Sequence, residues 1–392
     1  MSDRISEIRL AGLRCLRDVK LALHSGLTVL IGENGTGKST FIEGIELLRK
    51  APRREFISEF HRIHGGFAEL GRTDGSNIML SVSFDDGKSP APVVYSCEIG
   101  RRPGGAYIAS EKLMVAGDVL DERTDRQGRM VDERGDLVAS SFAHDKTVAA
   151  QLDATEPPPT DSLAGRLGAL AVHLPFEVRA AWSLREMQRE SPMRGSTLFE
   201  PAEGLSRYGA NLVNVLHALK NGDRPAWEET LQLVRMGLGQ SVEDINIHAD
   251  PGGGRAALSV RIAGQDVRAF TLSDGQLAYL AFVALTRVPK APSLLALDEP
   301  EHHLHPALLG RVVAMLEDLG ERCPVIITTH SDRLLDMLSE PEKSVVLCVA
   351  DGEQGTQLVR PDPEALARWR DKYRGIGQLR AEGLQSAVFK RP

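Results

Sequence analysis

Short apolar runs alternate with amphipathic helical patterns at both ends of the chain. Residues 27–31 (LTVLI), 294–297 (LLAL) and 324–329 (PVIITT) are apolar or β-branched runs, which is typical of buried strands. Each is followed by a stretch whose apolar residues recur at helical spacing. Strands that alternate with helices indicate an α/β sheet with parallel strands. We therefore predict a mixed or parallel sheet assembled from the two ends of the chain.

Other patterns fill the sequence between these ends. Residues 5–23 predict two strands around a turn at Gly12, and 76–85, 92–99 and 107–110 predict further strands of an antiparallel β subdomain. A charged, glycine-punctuated stretch then runs to three consecutive prolines, after which helical spacing dominates. The predicted division is a discontinuous α/β core at 1–84 and 258–360, a β-rich or loop insertion at 85–160, a helical lobe at 161–257 and a C-terminal tail at 361–392. We expect the tail to present a solvated helical face.

The first of these strands leads into a glycine-rich loop whose pattern is typical of anion binding. The sequence G-x-x-x-x-G-K-S follows a strand and opens a helix, which is the context that the phosphate-binding loop requires. Glycines let backbone N–H groups turn towards an anion, and the helix N-terminus adds partial positive charge. We expect Lys38 to reach the β- and γ-phosphates of ATP and the Ser39 hydroxyl to ligate Mg²⁺. The predicted nucleotide-binding residues are Gly32, Glu33, Asn34, Gly35, Thr36, Gly37, Lys38, Ser39 and Thr40.

Composition narrows the class of protein. The 392 residues are 42% hydrophobic and 26% charged, as in an ordinary globular protein, and no apolar run reaches the length of a membrane span. The N-terminus lacks the apolar region of a secretory signal, so we expect a cytoplasmic protein. The formal net charge of −7 argues mildly against a DNA-coating protein, although it leaves room for a local basic patch.

Acidic and histidine residues end the later strands. Asp298 closes the LLAL run, where its carboxylate can hold Mg²⁺, and Glu299 follows as the predicted general base for an attacking water. His330 ends the next apolar run, and we expect it to donate a hydrogen bond to the γ-phosphate. Lys38, Glu299 and His330 are the predicted catalytic residues.

Residues 272–276 (LSDGQ), here termed the signature segment, precede another helix and predict a second anion site at its N-terminus. The predicted ligand groups are Ser273, Gly275 and Gln276. One chain needs only one phosphate cradle for each ATP, so a second cradle remote in sequence suggests contact with the nucleotide of a second protomer. The expected assembly is a homodimer that sandwiches ATP.

Four motifs in fixed order carry a resemblance. GENGTGKS, LSDGQ, LLALDEP and TTHS resemble the ABC-type ATPase head of the RecF, SMC and OLD lineage, and EPEHHLHP is similar to the OLD-like form. The resemblance covers residues 1–50 and about 200–385, and it departs from LSGGQ at Asp274. It implies a P-loop NTPase fold of the ABC type, a nucleotide-proximal Arg14, and Gln188 as the glutamine-loop ligand of Mg²⁺. Too little chain follows His330 for the TOPRIM nuclease of OLD proteins, so we expect none.

The resemblance leaves the biological setting open. It implies an ATP-hydrolysing protein of DNA metabolism or anti-phage defence, with DNA or a separate effector protein as partner. The alternative is a nucleotide-dependent switch or scaffold that controls a toxin or nuclease with little turnover. A transporter subunit fits less well because no membrane span is present. His302, His303 and His305 also invite a metal interpretation, but no cysteine or carboxylate completes a tetrahedral set by spacing.

Overall fold

The computed structural model describes residues 4–85, 92–131, 137–152, 162–179, 191–250, 252–352, 355–370, 375–384 and 388–389. The strands are β1 (Arg4–Leu13), β2 (Leu16–Ala22), β3 (Leu27–Gly32), β4 (Ile78–Asp85), β5 (Val93–Arg102), β6 (Gly105–Val115), β7 (Asp118–Thr124), β8 (Gln127–Val131), β9 (Leu137–Ser141), β10 (Leu170–His173), β11 (Thr197–Leu198), β12 (Val242–Ala249), β13 (Arg255–Ile262), β14 (Gln265–Arg268), β15 (Leu294–Asp298), β16 (Val325–Thr328), β17 (Val345–Asp351) and β18 (Gly355–Val359).

The helices are α1 (Lys38–Lys50), α2 (Phe56–His64), α3 (Gly66–Glu69), α4 (Val148–Leu152), α5 (Leu163–Gly168), α6 (Leu212–Lys220), α7 (Arg224–Leu238), α8 (Asp274–Arg287), α9 (Pro306–Gly320), α10 (Asp332–Leu335), α11 (Pro341–Ser344), α12 (Pro363–Arg370) and α13 (Ile376–Ala381). The mixture of parallel and antiparallel sheets with helices confirms the predicted α/β class.

A six-stranded sheet brings the two ends of the chain together. Its order is β10-β15-β16-β3-β17-β18, and all neighbours are parallel except β17 and β18. Every residue of β3 is buried, as an apolar strand with helices on both faces must be. The order puts β3 beside β16, and β16 beside β15, so the carboxyl ends of these three strands form one edge. One strand differs from the expectation: β10 falls in the range assigned to the helical lobe, yet it is the edge strand of this sheet.

The second sheet is antiparallel and has eight strands in the order β2-β1-β4-β5-β6-β7-β8-β9. The first hairpin turns between Leu13 and Leu16, not at the expected Gly12, which lies within β1. The predicted insertion at 85–160 therefore extends a sheet that β1, β2 and β4 begin.

The part that 85–160 adds contains a buried polar cluster. The Glu111 carboxylate accepts hydrogen bonds from the Tyr95 hydroxyl and the Val148 amide and faces the Arg123 guanidinium.

A lobe of helices and a small sheet lies between β10 and α8 in sequence. β12, β13 and β14 form an antiparallel meander, and β11 pairs with β13. Helices α6 and α7 pack on α8, whose interior side chains Leu277–Leu285 are buried without interruption. Helix α8 therefore joins the lobe and the six-stranded sheet in one hydrophobic core.

In the described part of the C-terminal segment, one side of α13 is buried and not solvated as expected. Helix α13 packs against α10, and its Ile376 and Leu379 are buried. The apolar side of α13 therefore covers the helix that follows His330. Among the described residues, none of the helices has the length and apolarity needed to cross a membrane.

Candidate functional site

The loop between β3 and α1 is shaped to hold an anion. Gly37 has a φ of 90°, a left-handed conformation, and a Cβ there would lie 2.6 Å from Leu16 Cδ2 and 2.8 Å from Cys15 Sγ. Only glycine fits both the backbone angle and the close approach of the β1–β2 turn. The Lys38 ammonium donates to the carbonyls of Gly32 (3.0 Å) and Glu33 (2.9 Å), so its side chain folds back over the loop. These contacts hold the lysine ammonium beside the loop that leads into the first turn of α1.

The lysine sits among other charges. Burial lowers the pKa of the Lys38 ammonium, and the nearby Arg380 guanidinium acts in the same direction, whereas Asp298 and Glu299 oppose it. Two acidic side chains and a second basic one therefore lie close enough to shift the pKa of Lys38.

A hydroxyl on α1 and a carboxylate at the end of β15 form a pair of oxygen ligands suited to Mg²⁺. The Ser39 hydroxyl donates to Asp298 Oδ1 at 3.1 Å, and the buried Thr328 hydroxyl donates to the same oxygen. The register that aligns Asp298 with Thr328 follows from the parallel pairing of β15 and β16. A hydroxyl and a carboxylate at the phosphate loop are the oxygen ligands that Mg²⁺ takes from protein when phosphates supply others. The residues present fit Mg²⁺.

Glu299 follows directly and adopts an unusual backbone conformation. Its φ is 47°, a left-handed angle that costs free energy for a non-glycine residue. Its amide donates to the carbonyl and the hydroxyl oxygens of Thr328, each at 3.1 Å, which fixes this conformation. His302 Nε2 donates to Glu299 Oε2, and His330 Nε2 lies 3.5 Å from Oε1. The expected base and the expected phosphate-contacting histidine are thus neighbours.

Glu301 is a site residue that sequence reasoning missed. Its Oε1 accepts a hydrogen bond from the Thr329 hydroxyl at 2.6 Å and another from the His330 amide at 3.1 Å. One carboxylate oxygen therefore holds the backbone that carries His330. Its position in the EPE run was a signal, because a third acidic side chain so close to Asp298 and Glu299 needs a partner.

The signature segment begins helix α8 as expected. Ser273 is the N-cap: its hydroxyl accepts from the Gln276 amide at 3.2 Å, and its own amide donates to Gln276 Oε1 at 2.9 Å. This reciprocal capping box fixes the first turn of the helix. Ser273 is exposed and Gly275 partly exposed. A Cβ at Gly275 would lie 3.0 Å from the His303 carbonyl, so the segment contacts the loop that follows Glu299.

Two residues implied by the resemblance have different outcomes. Arg14 donates to Glu43 Oε2 at 2.8 Å and to the Glu69 carbonyl at 2.9 Å, and it lies 3.4 Å from the Thr40 hydroxyl. It therefore lies beside the first turn of α1 but is held by Glu43. Gln188 lies outside the described residues. The sequence-predicted role of each stays a prediction.

A cavity of about 480 Å³ adjoins the phosphate-binding loop. Its wall includes the loop from Gly32 to Thr36, the end of β17, and Arg380 of α13. Arg380 Nη1 lies 3.2 Å from Asp332 Oδ1. Sequence reasoning missed this arginine because only folding of the tail brings residue 380 to a loop near residue 35.

The histidine run after Glu299 is the other place where the sequence suggested a metal site. Among the described residues, the structure has no cluster of three or more His, Cys, Asp or Glu side chains suited to a metal ion. His303 has a φ of 66°, and burial lowers the pKa of its imidazole.

Two family profiles match the chain. The profile described as "AAA ATPase domain" matches residues 4–97, which include the phosphate-binding loop. The profile described as "AAA domain, putative AbiEii toxin, Type IV TA system" matches residues 248–336, which include the signature segment, Asp298 and His330. No curated protein sequence gives a significant match.

Solved structures of SMC heads share the fold. An SMC head bound to the C-winged helix domain of ScpA has a TM-score of 0.55 at 13% identity, covering 92% of this chain and 99% of that one. An SMC head with an extended coiled coil from Pyrococcus furiosus, bound to the C-terminal domain of ScpA, has a TM-score of 0.55 at 12% identity, covering 95% and 99%. A head from Pyrococcus yayanosii has a TM-score of 0.54 at 10% identity, again covering 95% and 99%.

Likeness at this identity shows a shared fold, and the two profiles match the parts of the chain that carry the nucleotide-site motifs. The chain therefore has the fold of SMC heads and is similar to AAA ATPase domains in the two parts that carry these motifs.

Proposed function

We propose that the protein binds and hydrolyses ATP in a head-to-tail homodimer, with each ATP held between the phosphate-binding loop of one protomer and the signature segment of the other. The observation that carries the proposal is the solvent-accessible N-terminus of α8. Ser273 is exposed and Gly275 partly exposed at a capped helix N-terminus, where backbone N–H groups favour an anion. A phosphate of a second protomer's ATP is the ligand that this surface fits.

The reaction is in-line attack of water on the γ-phosphate. Lys38 and the amides of α1 bind the β- and γ-phosphates, and Ser39 and Asp298 hold Mg²⁺. When bound, Mg²⁺ neutralises charge on the phosphate oxygens. Glu299 orients the water and accepts its proton, and His330 donates to the γ-phosphate. The 3.5 Å separation of Glu299 Oε1 and His330 Nε2 supports a joint role at this phosphate.

The setting proposed for this activity is DNA metabolism or anti-phage defence. The profile that names the AbiEii toxin and a type IV toxin–antitoxin system supports the defence setting. Structures in which SMC heads of this fold bind ScpA domains support a protein partner for the dimer. DNA remains the other proposed partner.

A second candidate is a nucleotide-dependent switch with little turnover that controls a separate effector. The contact between His302 and Glu299 Oε2 favours it, because an imidazole that occupies the proposed base competes with the attacking water. Phosphate release measured with DNA ends and with candidate partner proteins separates the two: stimulation by DNA favours the first function, and stimulation by a protein alone favours the second.

The dimer is tested with Glu299→Gln, which keeps the shape of the side chain but removes the base. With ATP, this variant should form a stable dimer of twice the 42.7 kDa monomer mass in light scattering after size exclusion. ADP in place of ATP, and Lys38→Ala in the same background, serve as controls that should leave a monomer. A Glu299→Gln variant that stays monomeric with saturating ATP would refute the sandwich.

A further inference from the structure

A buried arginine lies directly behind the signature segment. Arg194 is buried, and its Nη2 forms an ion pair with the carboxylate of Asp274. Its Nη1 donates to the carbonyls of Phe270 at 2.9 Å and Leu272 at 2.7 Å. A planar guanidinium can make this set of contacts because its five N–H groups form a rigid fork. One side chain therefore holds the backbone that approaches the signature segment, at Phe270, and two residues within it, Leu272 and Asp274.

The same arginine is also bound to the segment that follows β10. Its Nε donates to the Val178 carbonyl at 2.6 Å, and Val178 lies on the segment that leaves the carboxyl end of β10. β10 pairs with β15, the strand that ends in Asp298. The Ser191 hydroxyl ties the start of the arginine's own segment to the Glu177 carbonyl. Arg194 thus joins the edge of the six-stranded sheet to the signature segment.

The carboxylate of Asp274 explains why a positively charged side chain is needed at position 194. LSDGQ carries an aspartate where the related LSGGQ pattern has glycine. The side chain of Asp274 is 43% exposed, in the first turn of a helix that we propose faces a triphosphate. An unpaired carboxylate at that position would repel the phosphates, whereas the Arg194 guanidinium neutralises it.

We propose that Arg194 is a positioning residue that sets the geometry and charge of the signature segment for the partner protomer's ATP. The inference rests on the proposed sandwich dimer and deepens it. Arg194 touches no nucleotide in this account: it acts through the Phe270 and Leu272 carbonyls and through Asp274. The consequence is that loss of Arg194 should weaken dimerisation more than nucleotide binding by the monomer.

Arg235 provides a matched control. It donates to two backbone carbonyls, whereas Arg194 donates to the three named above: its Nε contacts Val242 at 2.8 Å and its Nη2 contacts Glu243 at 3.0 Å. These contacts join α7 to β12 and do not involve the signature segment. Arg235→Met therefore removes the same kind of contact, an arginine bonded to backbone carbonyls, at a place away from the signature segment. Arg194→Lys is the milder variant, since it keeps the charge but cannot span the fork.

The first readout needs no dimer. Amide hydrogen exchange of the monomer should rise for residues 269–276 in Arg194→Met and Arg194→Lys, and stay unchanged there in Arg235→Met. Unchanged protection of 269–276 in Arg194→Lys would overturn the proposal, whether or not the protein dimerises. If Arg194→Met does not fold, the lysine variant decides.

The second readout uses the Glu299→Gln background with ATP. Arg194→Lys should raise the dimer dissociation constant roughly tenfold to a hundredfold, as expected for the loss of one or two charge-assisted hydrogen bonds. Binding of a fluorescent ATP analogue to the monomer should not change. A dimer as tight as its Glu299→Gln parent would contradict the proposal, whereas a parent that never dimerises would refute the sandwich itself.

Discussion

Replacing Glu301 by glutamine tests how much the site depends on a residue that touches no phosphate in the proposed mechanism. Glu301 Oε1 accepts from the Thr329 hydroxyl at 2.6 Å and from the His330 amide at 3.1 Å. Glutamine has the same size and can offer a carbonyl oxygen in the same place. Glu301→Gln therefore changes two hydrogen bonds to a charged acceptor into two hydrogen bonds to a neutral one.

The magnitude follows from the difference between these bond types. A hydrogen bond to a charged group contributes about 1.5–3 kcal/mol, and a neutral one about 0.5–1.5 kcal/mol. Each bond should lose about 1 kcal/mol, so the backbone that carries His330 is held about 2 kcal/mol less firmly. If His330 acts on the γ-phosphate in the transition state, kcat should fall roughly thirtyfold.

The assay is steady-state phosphate release, with ATP affinity measured separately. Affinity should change little, because Lys38 and the phosphate-binding loop are untouched. Glu317→Gln is the control: Glu317 Oε1 also accepts a backbone amide and a hydroxyl, both from Ser339 at 2.9 Å, but it lies on α9. Turnover in Glu301→Gln no lower than in Glu317→Gln would refute the reasoning.

Three further predictions concern other residues. Gly37→Ala should abolish ATP binding, as measured by calorimetry, and destabilise the fold by about 1–2 kcal/mol. The new Cβ would lie 2.6 Å from a Leu16 carbon and 2.8 Å from the Cys15 sulfur, on a backbone with a left-handed φ. Unchanged binding would contradict this. Arg380→Ala should weaken ATP binding several-fold without lowering Tm, since Arg380 lines the cavity beside the loop; unchanged affinity would remove it from the site. Burial lowers the pKa of His173 from 6.5 to about 4, so the unfolded chain binds the proton more readily. Stability should therefore fall by up to about 3 kcal/mol between pH 6.5 and pH 4, and His173→Asn should remove that part of the slope in urea titrations; an equal slope in both proteins would contradict it.

The motifs with fixed spacing were predictable from the sequence. The phosphate-binding loop needs glycine, lysine and serine at set intervals between a strand and a helix, and such local requirements are visible in a few residues. The apolar runs that became β3, β15 and β16 were equally clear, because strands buried on both faces contain few polar residues. The α/β fold followed from these elements and is confirmed.

Contacts between distant residues were not predictable in this way. β10 is only four residues long and lies among helical patterns, so its place beside β15 appears only in the assembled sheet. The charges of the tail suggested a solvated helix, but burial of Ile376 and Leu379 against α10 brings Arg380 to the phosphate-binding loop. Arg194 and Asp274 are 80 residues apart, and nothing local in either segment announces the pair.

The central claim is that each ATP pocket is made by two chains, and complementation between two inactive variants tests it most directly. Lys38→Ala disables the phosphate-binding loop, and Ser273→Arg disables the signature segment. Each variant alone should lack ATPase activity. An equimolar mixture should recover at most about half of normal turnover, because only a mixed dimer has an intact pocket and it has one pocket of two. Activity in the mixture no higher than the sum of the separate variants would contradict the claim.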